Sequence, residues 1–465
     1  MKTPLCYLFL TLLLMGGLDK AKAQSSLLDT SFTPGSGASG GFVETLLQQP
    51  DGKILICGNF TSFNGASVAN VARLNSNGTV DTTFNANPGY WVRHMVLQPD
   101  GKIVIGGFFK SVGTQSRSLI ARLNSNGSLD TTFDPGTGAD GTLGTSITGN
   151  PDPFIFQLAL QSDGKILITG NFTNYNGTVI NGIARINSNG SLDTTFHVGS
   201  GLSTWGRSIQ VLPNNQILVT GWFDNYNNSS HDRMALINPD GSPDASFHPY
   251  FGDRTAVYTA VKLPDGKYIA AGHSLNYSGL FTNEIRRLNI DGTTDESFTG
   301  KANEKIQSVK LQSDGKLVIV GEFTLVDGVG RTTIARLNPD GSLDTGFSAN
   351  IDSWGWTGGL QPDGKILFCG GFSKVDNTSR SGIARLLSAT GDAQPLIFNP
   401  NKIGNTFSTS VSTLSGKTYT LQYKNSLQEV NWTSLTPSVN GDGTSKTLSD
   451  ASASVETRLY RIQMK

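Results

Sequence analysis

Aromatic and arginine side chains recur at two fixed distances before a repeated turn. The turn positions are Gly52, Gly101, Gly164, Asn215, Gly266, Gly315 and Gly364. Ten residues before them stand Phe42, Trp91, Phe154, Trp205, Ala256, Lys305 and Trp354. Eight residues before them stand Glu44, Arg93, Phe156, Arg207, Tyr258, Gln307 and Trp356. Between the two sets lie aliphatic residues or glycine: Val43, Val92, Ile155, Gly206, Val257, Ile306 and Gly355. Side chains alternate between the faces of a strand, so both chemically varied sets are expected on one face. Aromatic rings beside guanidiniums suit a binding rim, with rings stacking on a sugar or peptide and arginines meeting acidic or polar groups. The candidate rim is Glu44, Trp91, Arg93, Phe156, Trp205, Arg207, Tyr258, Trp354 and Trp356. A plainer reading has these aromatics filling the gaps between sheets. A second aromatic set, Phe63, Tyr175, Tyr226 and Tyr277, falls in loops expected to open on the same face.

Other chemistries find less support. His94, His197, His231, His248 and His273 recur at no common metal spacing. No serine nucleophile elbow, HExxH or phosphate-cradling glycine loop is present. The rim holds one carboxylate, Glu44, which is poor equipment for acid–base catalysis. The turn aspartates Asp51, Asp100, Asp163, Asp265, Asp314 and Asp363 read as turn formers, because Asp satisfies nearby backbone groups. "NPDGSPD" (238–244) and "NPDGSLD" (338–344) lack the carboxylate ladder of a calcium loop. Neither a metal nor a cofactor is expected. Formal net charge is zero, so no nucleic-acid partner is expected.

A seven-fold repeat must position the rim. Its hairpin reads "LQQPDGKILICG", "LQPDGKIVIGG", "LQSDGKILITG", "VLPNNQILVTG", "KLPDGKYIAAG", "LQSDGKLVIVG" and "LQPDGKILFCG". Successive turns are spaced by 49, 63, 51, 51, 49 and 49 residues, the long spacing holding the insertion "GTGADGTLGTSITGNP". Each unit reads as four short strands: A ("VETLLQ", 43–48), B ("KILICGNF", 53–60), C ("VARLN", 71–75) and D ("TVDTTF", 79–84). Strand B is apolar on both faces, as in Ile54, Leu55 and Ile56, so each sheet must be covered on both sides. Four-stranded sheets packed in series form a stack or a propeller. The order of markers decides between them. The chain begins with a lone D phrase, "SLLDTSF" (26–32), and its last repeat, "GIARLL" (382–387), has none after it. A ring explains that phase shift, with the N-terminal strand completing the last sheet. The expected fold is all-β: a seven-bladed β-propeller over 24–394, followed by a small β-sandwich module over 395–465.

Pairing of the "ARLN" arginine with the "LDTTF" aspartate across strands C and D is expected, for example Arg73 with Asp81. Blade four has Leu236 where the others carry Arg, and Arg233 is the candidate substitute. Cys57 and Cys369 occupy one slot in blades that the ring makes neighbours. Packed sheets lie about 10 Å apart, so two buried thiols are favoured over a disulfide. Residues 1–23 read as a secretory signal: a basic start, an apolar stretch and "AKA" before Gln24. No later stretch is apolar enough to span a bilayer, so the mature chain is expected to be secreted or at the cell surface. In the tail, "TYTLQYKNSLQEVNWTSL" and "VETRLYRIQMK" alternate apolar and polar residues. A stabilising or spacer role is favoured there over sorting.

The motifs "QPDGKILxxGxF" and "GIARLNxxGSLDxxF" resemble the delta-60 repeat family, a bacterial β-propeller repeat of secreted proteins, over most of residues 28–392. "PNNQ" and Leu236 make blade four the largest departure. The resemblance implies a fold and an exported context, and no activity. The expected function is a secreted, non-catalytic propeller that binds a glycan, peptide or cell-surface component. The rival readings are a glycan-active lyase or hydrolase using the same face, and a purely structural envelope or adhesion module.

Overall fold

The turn after each inner strand is built the same way in every blade. In blade one, Gly52 adopts a φ of 84°, a region costly for residues with a Cβ. The Asp51 carboxylate accepts the Lys53 N–H at 3.0 Å, which fixes the turn from its side. Blade four places Asn215 there with a φ of 61°, a value asparagine tolerates. A computed structural model describes residues 27–143, 152–252, 255–274, 283–387, 397–413, 417–426, 429, 431–441, 445–453 and 458–464. Among these, no helix is long and apolar enough to cross a membrane. The leader, Tyr277, most of the insertion and the junction near residue 394 lie outside the described residues.

Each blade is an antiparallel sheet in the order A–B–C. In blade one the strands are Phe42–Gln48, Ile54–Asn59 and Val71–Leu74. In blade seven they are Gly355–Leu360, Ile366–Gly370 and Ile383–Leu386. The A strands of consecutive blades pack side by side, and Gly355–Leu360 packs against Phe42–Gln48, which closes the circle. Strand B supplies two apolar faces, as its sequence requires. Ile54 and Ile56 join a core shared with Leu367, Cys369 and Ile383 of blade seven. Leu55 and Cys57 join another with Met95, Ile103 and Ile105 of blade two. Cys57 and Cys369 each face the following blade from equivalent slots, so a sheet separates them. Both are free, buried thiols.

Strand D is shorter than expected. It forms one bridge to strand C, such as Leu74 to Val80, and then turns. The competing structure is local: Asp81 Oδ1 accepts both the Thr83 N–H at 3.0 Å and the Thr83 hydroxyl at 2.6 Å. The expected Arg–Asp pairs do form. Arg73 Nε donates to Asp81 Oδ2 at 2.8 Å, and Lys53 Nζ donates to the same oxygen at 2.8 Å. Arg73 Nη1 also reaches the Ser125 carbonyl of the next blade at 2.6 Å, so the pair ties blade to blade. Blade four corrects one expectation. Arg233 does not replace the missing arginine; it pairs with Asp224 and Asp232, while Gln216 Nε2 donates to Asp244 at 2.8 Å.

The N-terminal segment closes blade seven as the marker order requires. Leu28 bridges Leu386, and Leu387 N–H donates to the Leu27 carbonyl at 2.7 Å. Beyond the propeller, one small sheet joins Ile397–Ile403, Thr406–Ser412 and Ser445–Asp450. A second is centred on Thr418–Lys424 and includes Leu459–Met464. Both contribute to one apolar cluster of Val411, Tyr419, Leu421 and Leu448.

Candidate functional site

The inner strand of every blade carries a β-bulge, and the bulged residue is the one eight positions before the turn. The ladder skips Glu44 between Val43 and Thr45, and Arg93 between Val92 and His94. It skips Phe156, Arg207, Tyr258, Gln307 and Trp356 at the same point. A bulge leaves its extra residue unpaired and re-aims the side chain. All seven side chains converge on one cavity of about 370 Å³ at the ring's centre. Blade seven makes room for its neighbours with glycine. A Cβ on Gly355 would stand 2.5 Å from Val320 Cγ1, and one on Gly359 would stand 2.6 Å from Leu46 Cδ1.

The bulges divide the candidate rim. Glu44, Arg93, Phe156, Arg207, Tyr258 and Trp356 line the cavity, together with Gln307. Trp91, Trp205 and Trp354, ten before the turn, do not line it. Strict alternation puts both sets on one face, but the bulge breaks it between them. Trp205 is only 2% exposed and packs with Phe154 and Phe156. Trp91 stacks on Phe108 with centroids 4.7 Å apart, and Trp354 meets Phe42 edge-on at 5.3 Å. These rings fill the space between blades. The loop aromatics are buried too: the Tyr175 hydroxyl donates to the Gly190 carbonyl at 2.7 Å, and Phe63 and Tyr226 are fully enclosed.

One polar tier was missed by the sequence reading. Seven before each turn stand Thr45, His94, Gln157, Ser208, Thr259, Ser308 and Thr357, all on the cavity wall. They also tie adjacent inner strands: Thr45 Oγ1 donates to the Arg93 carbonyl at 2.8 Å, and Gln157 Oε1 accepts the Ile209 N–H at 3.0 Å. The signal was one repeat position that is polar in all seven copies.

The electrostatics centre on two guanidiniums. Arg93 and Arg207 are each 8% exposed. Arg93 Cζ lies 4.3 Å from the Phe156 centroid and 5.2 Å from that of Trp356. Arg207 Cζ lies 4.9 and 5.5 Å from the same two rings, and 3.9 Å from Tyr258. Glu44 accepts from Trp91 Nε1 at 2.7 Å and pairs with Arg93 at 3.2 Å. Burial raises the Glu44 carboxyl to about 6, against the opposing pull of Arg93 and Trp91. Burial lowers Arg207 to about 10, and the nearby Arg93 charge adds to that effect. His94 accepts the Leu158 N–H through Nδ1 at 3.4 Å, and burial keeps its ring neutral. Among the described residues, no group of three His, Cys, Asp or Glu stands together as a metal site. The arrangement offers ring faces, hydroxyls, amides and positive charge.

Comparison with solved structures returns the WD40 β-propeller domain of Doa1, 13% identical, with a TM-score of 0.43, covering 75% of this chain and 96% of that one. It also returns a bifunctional GH43-CE protein of Bacteroides eggerthii, 9% identical, with a TM-score of 0.21, covering 93% of this chain and 61% of that one. No curated protein matches the chain. The family described as a domain of unknown function (DUF5122) β-propeller matches residues 49–84, 98–133, 161–196, 212–247, 263–298, 312–347 and 361–392. One segment falls in each of the seven blades, starting after the inner strand, and together they make up more than half of the chain, which belongs to the DUF5122 β-propeller family.

Proposed function

We propose that the chain is an exported, non-catalytic propeller that binds carbohydrate in its central channel. The observation that supports this is the convergence of seven bulged side chains on a single cavity. The wall favours a sugar over a peptide. It combines hydroxyls and amides from Thr45, Gln157, Ser208 and Gln307 with the rings of Phe156, Tyr258 and Trp356. Sugars present hydroxyls for hydrogen bonds and flat apolar faces for ring contact, and this wall supplies partners for both. Glycoside hydrolysis uses a pair of carboxyl groups. Glu44 is the one carboxylate on this wall, and it is engaged by Trp91 and Arg93. Export is supported by the leader-like residues 1–23 and by the resemblance to delta-60 repeats.

The test is a carbohydrate array probed with the chain from Gln24 onward, beside Arg207→Gln. The expected outcome is a saccharide signal that Arg207→Gln abolishes while the melting temperature stays within a few degrees. An array without saccharide signal overturns the reading. Fusion of residues 1–23 to a reporter tests export, which reporter retention inside the cell would disprove.

A further inference from the structure

The cavity wall carries three cations and one carboxylate: Arg93, Arg207 and Lys310 against Glu44. The whole protein has no net charge, so this excess is local. Glu44 is committed to Arg93 and Trp91. Arg207 has Gln307 Oε1 as a hydrogen-bond acceptor at 2.5 Å and the Tyr258 ring beneath it; it has no ion pair among the described residues, and Glu44 and Glu322 act on it only at longer range. It shares Phe156 and Trp356 with Arg93, so two like charges stand in one aromatic frame.

Lys310 lies three residues beyond the bulged Gln307 on the inner strand of blade six, Ile306–Leu311. At about 3.3 Å per residue that is roughly 10 Å deeper along the channel. Its side chain faces the lumen, its ammonium has neither an ion pair nor a hydrogen bond among the described residues, and enclosure by the channel lowers its pKa, a cost that a bound anion offsets. Ser208, Thr259, Ser308 and Thr357 stand on the wall between the two levels. His94 adds no charge, because its Nδ1 is an acceptor. Uncompensated charge in a confined space is costly, and an anion placed there relieves that cost.

We infer that the channel is an anion well, in which Arg93 and Arg207 above and Lys310 below receive the carboxylate or sulfate group of an acidic saccharide. This rests on the carbohydrate-binding reading and narrows it to acidic sugars. The guanidiniums supply planar, paired donors to the acid group, and the lysine supplies a point charge. The wall hydroxyls and the rings of Phe156 and Trp356 hold the sugar that carries it.

Tryptophan fluorescence follows occupancy, because Trp356 lines the cavity. The probes are sodium sulfate at ionic strength held constant with chloride, oligogalacturonate, its methyl ester, and a sulfated galactan oligosaccharide beside its desulfated form. Each is titrated into the wild-type chain, Lys310→Met and Arg207→Gln, with a melting curve for each variant. The expected result is a saturable response to sulfate, weakened about tenfold by either substitution. A preference for oligogalacturonate over its ester identifies a carboxylate sugar. A preference for the sulfated over the desulfated galactan identifies a sulfated one. Equal binding of charged and neutral saccharides overturns the anion well and leaves carbohydrate binding standing. A charge preference that survives both substitutions places the anion elsewhere and also overturns it. Absence of any response to all five probes removes both readings.

Discussion

Arg385 Nε donates to Asp29 Oδ2 at 2.8 Å, across 356 residues of sequence. Arg73 makes the same bond to Asp81 at 2.8 Å across 8 residues. Geometry and partners match, so the ring's seam copies a joint used inside the blades. Arg385 also donates to the Ser76 carbonyl at 2.9 Å, and Lys365 stands 3.3 Å from Asp29.

Removing the seam's carboxylate strands the Arg385 guanidinium, while Lys365 keeps Asp363 at 3.2 Å. Asp29→Ala is expected to cost about 3 kcal/mol, the usual scale for breaking one side of a buried pair. Asp51→Ala, in an exposed turn, is expected to cost no more than about 0.5 kcal/mol. Urea unfolding followed by circular dichroism measures both, and equal losses would count against the seam.

The same carboxylates set the acid limit. Burial pulls Asp29 upward, but Ser31, Arg385 and Lys365 outweigh it and hold the carboxyl at about 2. Asp81, Asp130 and Asp193 are held lower still, where a lysine, a threonine and an arginine outweigh burial. A depressed folded-state value means stability that is complete above the unfolded value, about 3.9, and lost as pH falls through the folded one. Melting temperature should therefore drop steeply from about pH 4 towards pH 2. Thermal melts across that range decide it; an unchanged midpoint at pH 2 would remove these pairs from the account.

Glu44 titrates with the opposite sign. Its carboxyl is raised to about 6, so the folded chain takes up a proton above the unfolded value, and Glu44's contribution to stability weakens as pH rises through about 6. Arg93, Arg207 and Trp91 act on it directly, with His94, Cys57 and Lys310 nearby. Protonation removes the cavity's one negative charge. Sulfate is therefore expected to bind several-fold more tightly at pH 5 than at pH 7.5. Glu44→Gln should hold the tighter affinity at both pH values. Isothermal titration with sulfate across this range provides the measurement.

Two tryptophans should separate packing from binding. Trp205→Ala empties a buried interblade site and is expected to cost about 3–5 kcal/mol. Trp356→Ala is expected to cost less stability and to weaken saccharide binding. Paired unfolding and fluorescence titrations test this, and the reverse pattern would refute the assignment.

Cys57 and Cys369 should resist thiol reagents in the folded protein. Burial raises both thiols far above the ordinary cysteine range and suppresses the reactive thiolate. Ellman's reagent is expected to find none in the native chain from Gln24 and both after unfolding without reductant. A zero count after unfolding would mean that they are bonded.

The architecture was legible in the sequence because it rests on repetition. The "DGK" turns mark the blades, and the unaccompanied "SLLDTSF" marks the seam. The site was legible only up to the bulge. Counting eight back from the turn found every bulged side chain, but alternation then carried Trp91, Trp205 and Trp354 into the same group. Alternation assumes an unbroken ladder, and one extra residue shifts every side chain beyond it. The shortening of strand D has a local cause of the same kind. Asp81 caps its own turn through Thr83, a competition that β-propensity does not capture.

The seven bulges separate two tasks that a strand usually performs with the same residues. The ladder is kept by the paired positions, whereas the bulged positions bear no rung. Their identities are accordingly diverse: one acid, two arginines, three aromatics and an amide occupy the same place in the ring. The channel is thus a seven-dial combination lock mounted on an invariant frame. Changing one dial, such as Gln307, leaves every rung of the ladder in place and acts on the cavity both directly and through Arg207, which donates to it, so a new ligand preference is within reach of a single codon change.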